Sequence, residues 1–345
     1  MKQTILPRWR GFNLPDMISV KSFGGFKEED FKLISELGFN FVRLPLCYRH
    51  WVQNPDDPDD IASINENALA FVDKAVEWGI RYGIHVCINF HRAPGYSVNR
   101  DYPEKRFLWK SEKALQAFKF HWTAFAKRYR NIPSDKLSFN LLNEPPKPKT
   151  PPPNKPDAWV MTREDYCRVV RETVSSIHAV DPKRLIIVDG VDYANLPCPE
   201  LRDLAPLVAQ SCRGYWPSGI SHWKASWWKG SDSWPVPVWP GALHEGKPWN
   251  RKNLEELYAP WIKLAETGVG IHCGECGAWK ETPHNVVLKW LRDVLEILTS
   301  ANIGYALWNF RGGFGILDSD RKDVSYEDFY GHKLDRKLLD LLKEF

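Results

Sequence analysis

Short apolar runs alternate with longer amphipathic stretches from one end of the chain to the other. RWRGFNL (8–14) has a strand pattern, and EEDFKLISELG after it places apolar residues at helical spacing. The pairing then recurs. NFVRLPL (40–46) precedes NENALAFVDKAVEWGIRYG, IHVCINFH (84–91) precedes SEKALQAFKFHWTAFAKRY, and LSFNLLNE (137–144) precedes TREDYCRVVRETVSSIHAV. In the last helix Thr162 is the expected N-cap, with acidic residues in the first turn. RLIIVDG (184–190) reads as a fifth strand, followed by a stretch without clear periodicity. SCRGYW (211–216) is a weaker sixth and leads to helical NLEELYAPWIKLAETG. VGIHCGE (269–275) and IGYALWNF (303–310) are the last strands, followed by HNVVLKWLRDVLEILTSAN and LDRKLLDLLKEF.

The better strands are nearly continuous apolar runs, as in a sheet covered on both faces. Eight such units over 345 residues predict an α/β fold, a (β/α)8 TIM barrel forming a single domain over 1–345. An open doubly wound sheet is the alternative, but no Gly-rich phosphate fingerprint follows the first strand. A barrel carries its chemistry where strands end. Asn13, Arg43, His91, Asn143, Glu144, Asp189, Tyr215, Glu275, Trp308 and Asn309 occupy those positions. Such groups are costly to bury unless paired, and convergence at one mouth lets them pair with each other or a ligand.

Two carboxylates end their strands abruptly, in FNLLNE and GIHCGE. Facing each other across a mouth, they suit cleavage of a glycosidic bond. One protonates the leaving oxygen, and the other attacks the anomeric carbon or activates water. Arg43 is placed to keep Glu275 ionised, and Asn143 to bind a sugar hydroxyl.

Composition narrows the class. With 47 basic and 43 acidic residues the net charge is only +4, and no Lys/Arg run marks a nucleic-acid surface. No stretch of ~20 apolar residues would span a membrane. The seven cysteines have irregular spacing, unlike a secreted disulfide framework. MKQTILPRWRGF contains no apolar signal-peptide core, so the expected location is cytoplasmic, or secreted if a leader has been removed. No cofactor or metal motif is expected.

LNEPP, GECGAW and ALWNFRGGFGILDS together resemble glycoside hydrolase family 5, the cellulase-like retaining β-glycosidases. RGFNL, FVRLPL and FHRAPG resemble that family's motifs as well, in order along nearly the whole chain. The resemblance implies a double displacement on a β-linked oligo- or polysaccharide, with Glu144 as general acid/base and Glu275 as nucleophile. It implies substrate-binding positions at Arg43, His91, Asn143, Tyr215, His222 and Trp308. Tyr215 would hydrogen-bond the nucleophile, and Trp308 would floor the sugar site. The two carboxyl groups are expected about 5–5.5 Å apart. One position departs. Many relatives carry H-x-Y-x-P on the sixth strand, whereas RGYWPSGISHW places Arg213 in the His slot. A cation there could bind a substrate hydroxyl, bind an acidic group, or pair with a neighbouring carboxylate.

Two loops are unusual. The segment 145–158 has seven Pro between 145 and 156, which makes it stiff and extended. The segment 216–250 contains Trp216, Trp223, Trp227, Trp228, Trp234, Trp239 and Trp249. Flat indoles either stack on sugars or pack among themselves; about half are expected to form a small satellite core, and at least one is expected to line the cleft as a sugar subsite.

Three other functions find less support in the sequence. An exo-acting β-glucosidase or β-mannosidase would need a cleft closed at one end. A non-catalytic carbohydrate-binding barrel would be expected to have lost a catalytic carboxylate. A zinc or dithiol site at Cys273 and Cys276 lacks a second ligand pair, and His272 should face away from Cys273. Redox pairs open helices, whereas this one ends a strand. By simple alternation Cys273 should point the same way as Glu275.

Overall fold

The computed structural model describes residues 6–20, 24–98, 104–152, 155 and 158–345. Pro153, Asn154, Pro156 and Asp157 of the proline-rich segment lie outside the described residues.

Eight parallel strands form the frame: β1 Arg10–Asn13, β2 Phe41–Cys47, β3 His85–Ala93, β4 Leu137–Asn140, β5 Ile186–Asp189, β6 Val208–Gly214, β7 Ile271–Cys276 and β8 Gly304–Leu307. Their order is β2–β1–β8–β7–β6–β5–β4–β3, and β3 pairs back onto β2. The sheet is therefore a closed barrel. Helices α1 Glu28–Glu36, α2 Glu66–Arg81, α3 Glu112–Tyr129, α4 Arg163–His178, α5 Arg251–Ala265, α6 His284–Ser300 and α7 Arg336–Glu344 surround it.

Local chemistry starts these helices where the sequence suggests. Thr162 accepts from the Asp165 N–H at 3.1 Å, and the Asp165 carboxylate accepts from the Thr162 N–H at 2.9 Å, a reciprocal capping box. Ser111 and Asp335 cap α3 and α7 in the simpler way.

Three elements differ from the expected pattern. The β5 crossover has no long α-helix. A left-handed turn at Asp192–Ala194 (φ 57°, 59° and 60°) and a 3-10 helix at Pro199–Leu204 take its place. Pro197 and Pro199 interrupt any helical repeat there. Strand β6 starts three residues before the expected 211, because Val208 and Ala209 already pair with Ile186 and Ile187. Strand β4 ends at Asn140 rather than 144, although the Leu141 N–H still reaches the Ile187 carbonyl at 3.0 Å.

Alternation along the strands layers the barrel interior. Leu6, Trp9, Phe41, Cys87, Leu185, Ile187, Ala209 and Ala306 form an apolar cluster at the end where strands begin. Trp9 stacks on His85 with centroids 3.9 Å apart. Two residues further along β2, β3, β5 and β6 the inward positions turn polar: Arg43, Asn89, Asp189 and Ser211, all buried. The much larger outer cluster, between sheet and helices, contains Trp51, Trp122, Trp261 and Trp290. The barrel is thus a packed solid whose polarity rises toward the mouth.

Candidate active site

Arg43 links four strands. Its Nε donates to Asn140 at 2.9 Å. One terminal nitrogen donates to Asn13 at 3.0 Å and to Glu275 at 2.6 Å, and the other to Asn143 at 2.8 Å. A fully buried guanidinium needs this saturation, since each unmade hydrogen bond leaves a costly orphan donor. Asn13 and Asn140 are fixed in turn by the Gly274 carbonyl at 2.9 Å and Asp189 at 3.0 Å.

A β-bulge aims Glu275. The pairing of β7 with β6 shifts between Cys273 and Glu275, which oppose Cys212 and Arg213 with Gly274 extra. Simple alternation is broken there, so Cys273 does not point with Glu275. Cys273 packs in the outer cluster with Cys212, Cys276 and Tyr258, while Glu275 enters the mouth. His272 lies on the inner face against Phe41, at 4.5 Å between centroids, opposite to Cys273 as expected. Gly274 has no room for a Cβ, which would stand 2.5 Å from the Ser211 hydroxyl. Besides Arg43, Glu275 accepts from the Tyr215 hydroxyl at 3.0 Å.

Glu144 sits just past β4 with φ 50°, a left-handed conformation rare for a residue with a side chain. Its N–H donates to Asp189 at 2.9 Å, and its carbonyl accepts from the Tyr96 hydroxyl at 2.6 Å. The left-handed turn after β5 also grips the adjoining prolines, with the Tyr193 N–H on the Pro145 carbonyl at 2.8 Å. These bonds hold the strained backbone in place. Burial, then the nearby charge of Glu275, push the Glu144 carboxyl up from 4.5 to about 7, against the pull of Arg213.

Asn13, Arg43, His91, Asn143, Glu144, Asp189, Tyr215, Glu275 and Trp308 are joined by one set of contacts, whereas the Asn309 Oδ1 makes no hydrogen bond. Asn143 accepts from Arg43 and Arg213, each at 2.8 Å, and lies 3.4 Å from His91 Nε2. Burial and then the neighbouring arginines hold His91 neutral, well below the usual histidine range. Its ring stacks over Trp308 at 5.6 Å, and its Nδ1 makes no hydrogen bond. His222 lies further out, 5.2 Å from the Tyr215 ring, with Nδ1 on Ser221 at 2.7 Å. Burial lowers its pKa to about 4.

Asn140 and Tyr96 belong to the site's scaffold and were not singled out from sequence. A polar residue inside the apolar run LSFNLL is the signal for Asn140. Nothing local marks Tyr96. Among the described residues no group of three or more His, Cys, Asp or Glu could hold a metal ion.

Comparison with known proteins then decides the family. The model for cellulase, glycosyl hydrolase family 5, matches residues 2–313. The chain belongs to glycoside hydrolase family 5. Endoglucanase C of Acetivibrio thermocellus is 28% identical over 325 residues, covering 87% of this chain and 88% of that one. Cellodextrinase A of Ruminococcus flavefaciens is 26% identical over 288 residues, covering 80% and 76%. A crystal structure described as a glycoside hydrolase superposes with a TM-score of 0.89 at 38% identity, covering 98% of this chain and 99% of that chain. This family 5 protein is therefore an enzyme, a retaining β-glycoside hydrolase on a TIM barrel.

The loops of this enzyme divide their tryptophans. Trp223 and Trp239 are buried, and Trp223 donates to the Trp234 carbonyl at 3.1 Å. Trp239 donates to Asp293 at 2.8 Å. Trp227 is 55% exposed, edge-on to Trp279 at 4.7 Å and 6.1 Å from Phe314, which lies 6.2 Å from Tyr215.

Proposed function

We propose that this enzyme hydrolyses the backbone of a β-linked glucan or gluco-oligosaccharide, with Glu275 as nucleophile and Glu144 as general acid/base. The pairing of one carboxyl near neutrality with one gripped by Arg43 and Tyr215 carries the reading. Two carboxyls in such different environments suit the two roles. In the first step the Glu275 carboxylate attacks the anomeric carbon while Glu144 gives its proton to the departing oxygen. Esterification removes the Glu275 charge, which lowers the proton affinity of Glu144. Glu144 then takes a proton from water, and that water releases the sugar with its original anomeric configuration.

In this scheme Trp308 stacks beneath the sugar at the cleaved bond. His91 and Asn143 stand beside its hydroxyls, and the Tyr215 hydroxyl orients the nucleophile. Trp227 offers a further stacking surface outside the cleavage point. The relatives named endoglucanase favour internal cleavage over the exo reading. Within the same proposal the enzyme is cytoplasmic. Its seven cysteines are all free, the state expected in a reducing compartment, and fractionation of expressing cells tests it.

Glu275→Ala tests the roles. Turnover should be abolished, and azide should restore it with a glycosyl azide of inverted configuration as product. Full activity in Glu275→Ala would overturn the assignment. Chain-length analysis of products from a soluble β-1,4-glucan tests internal cleavage, and release of monosaccharide alone would contradict it.

A further inference from the structure

Arg213 is the residue by which the site departs from the family pattern, and it touches both carboxylates. Its Nε donates to Glu144 at 3.0 Å, and one terminal nitrogen lies 3.3 Å from Glu275. That same nitrogen donates to Asn143 at 2.8 Å and to Asp189. The other reaches Ser211 at 3.2 Å and the Cys212 carbonyl at 3.1 Å. The side chain is 1% exposed. We propose that Arg213 is a positioning residue that sets the pH range in which Glu144 exchanges its proton, by holding a fixed positive charge between the two carboxylates.

The charges around Glu144 support this, and the inference rests on the acid/base role proposed above. Arg43 comes from β2, Asp189 from β5, Arg213 from β6 with Tyr215 just past its end, and Glu275 from β7. His91 and Tyr96 face the site from β3 and the turn beyond it. His91 is held neutral by burial. Burial also raises Tyr96 and Tyr215 well above the usual range, so both keep their protons. By formal count two guanidinium groups face two carboxylates, Asp189 and Glu275, and it is Arg213 that lowers Glu144 against the upward push of both carboxylates. Without Arg213 the surround carries one net negative charge, and ionised Glu144 becomes harder to form. The acid would keep its proton at higher pH, and the base needed for the second step would be scarcer at neutrality. Burial opposes the charge on Arg213, but Asp189, Glu275 and Glu144 outweigh it and keep the guanidinium protonated throughout.

The test is the pH dependence of kcat/KM on an aryl β-glycoside whose poor leaving group requires protonation. Wild-type activity should fall on the alkaline side near the Glu144 value. Arg213→Gln should move that alkaline limb up by about one pH unit or more. Arg213→Lys, which keeps the charge but not the fork, should leave the limb close to wild type while lowering kcat. Asp189→Asn removes an opposing charge and should move the limb down, and this variant carries the test if Arg213→Gln does not fold. A purely structural role would reduce activity at every pH without moving the limb. An unmoved limb in Arg213→Gln or Asp189→Asn, or the same upward movement in Arg213→Lys, overturns the inference. Glu144→Ala separates the two readings. If its residual activity keeps the alkaline limb, the assignment of Glu144 fails instead.

Discussion

Replacing Glu144 with Gln should stabilise the folded enzyme at alkaline pH while removing its acid/base chemistry. The folded-state carboxyl titrates near 7 instead of 4.5, chiefly because it is buried and secondly because Glu275 is close. Between those values the folded state binds more protons than the unfolded state, so stability falls as pH rises. Below about 4.5 the carboxyl is protonated in both states and imposes no cost. Above about 7 it is ionised in both, and the full cost is present. A rise from 4.5 to about 7 corresponds to roughly 3 kcal/mol. Glutamine keeps the shape and an oxygen to accept from Arg213, but cannot ionise. Urea unfolding of Glu144→Gln and wild type at pH 4.5 and pH 8 measures the difference. The stability gap between them should widen in favour of the variant by about 2–3 kcal/mol from the lower to the higher pH. A gap equal at both pH values would refute the reasoning, whatever its size, because contacts common to both pH values cancel.

Three further outcomes follow from the geometry. A thiol reagent added to the native enzyme should label Cys167 first and leave activity intact, since the other six cysteines are buried, and peptide mapping checks it. Gly214→Ala should destabilise the barrel by about 1–3 kcal/mol in a urea melt, because its Cβ would stand 2.5 Å from that of Cys276. Trp227→Ala should raise KM for oligosaccharides about tenfold, the equivalent of roughly 1.4 kcal/mol of stacking, and leave KM for a small aryl glycoside unchanged. Equal effects on both substrates would remove Trp227 from the proposed sugar surface.

The mouth of the barrel was legible because polar side chains closing apolar strands have few structural reasons to be there. Arg43, Asn143, Tyr215 and Glu275 meet as their strand positions suggested. Strand limits were harder to read. LSFNLLNE continues as an apolar run beyond the last paired residue, so the sequence pattern does not show that Glu144 lies on a left-handed turn. The β7 bulge was invisible for a related reason. Alternation is a rule for regular pairing, and one extra residue at Gly274 turns Cys273 outward while Glu275 still enters the site. The same bulge settles the C-x-x-C. Cys273 and Cys276 bond to the Glu275 carbonyl at 3.3 Å and the Ala306 carbonyl at 3.5 Å, on the helix side of the sheet. Arg213 could be recognised from sequence as a departure, but its several roles there could not be separated. Which partner it meets depends on the convergence of four strands, and no local pattern encodes that.

Trapping the covalent intermediate tests the central claim most directly. In a 2-deoxy-2-fluoro β-glucoside the fluorine slows both steps, and an activated leaving group restores speed to the first alone, so the glycosyl-enzyme accumulates. Mass spectrometry of the intact protein should show one added fluoroglycosyl group, and the peptide containing Glu275 should carry it at that residue. A label on Glu144 or elsewhere, or turnover without any adduct and with inverted product, would contradict the account.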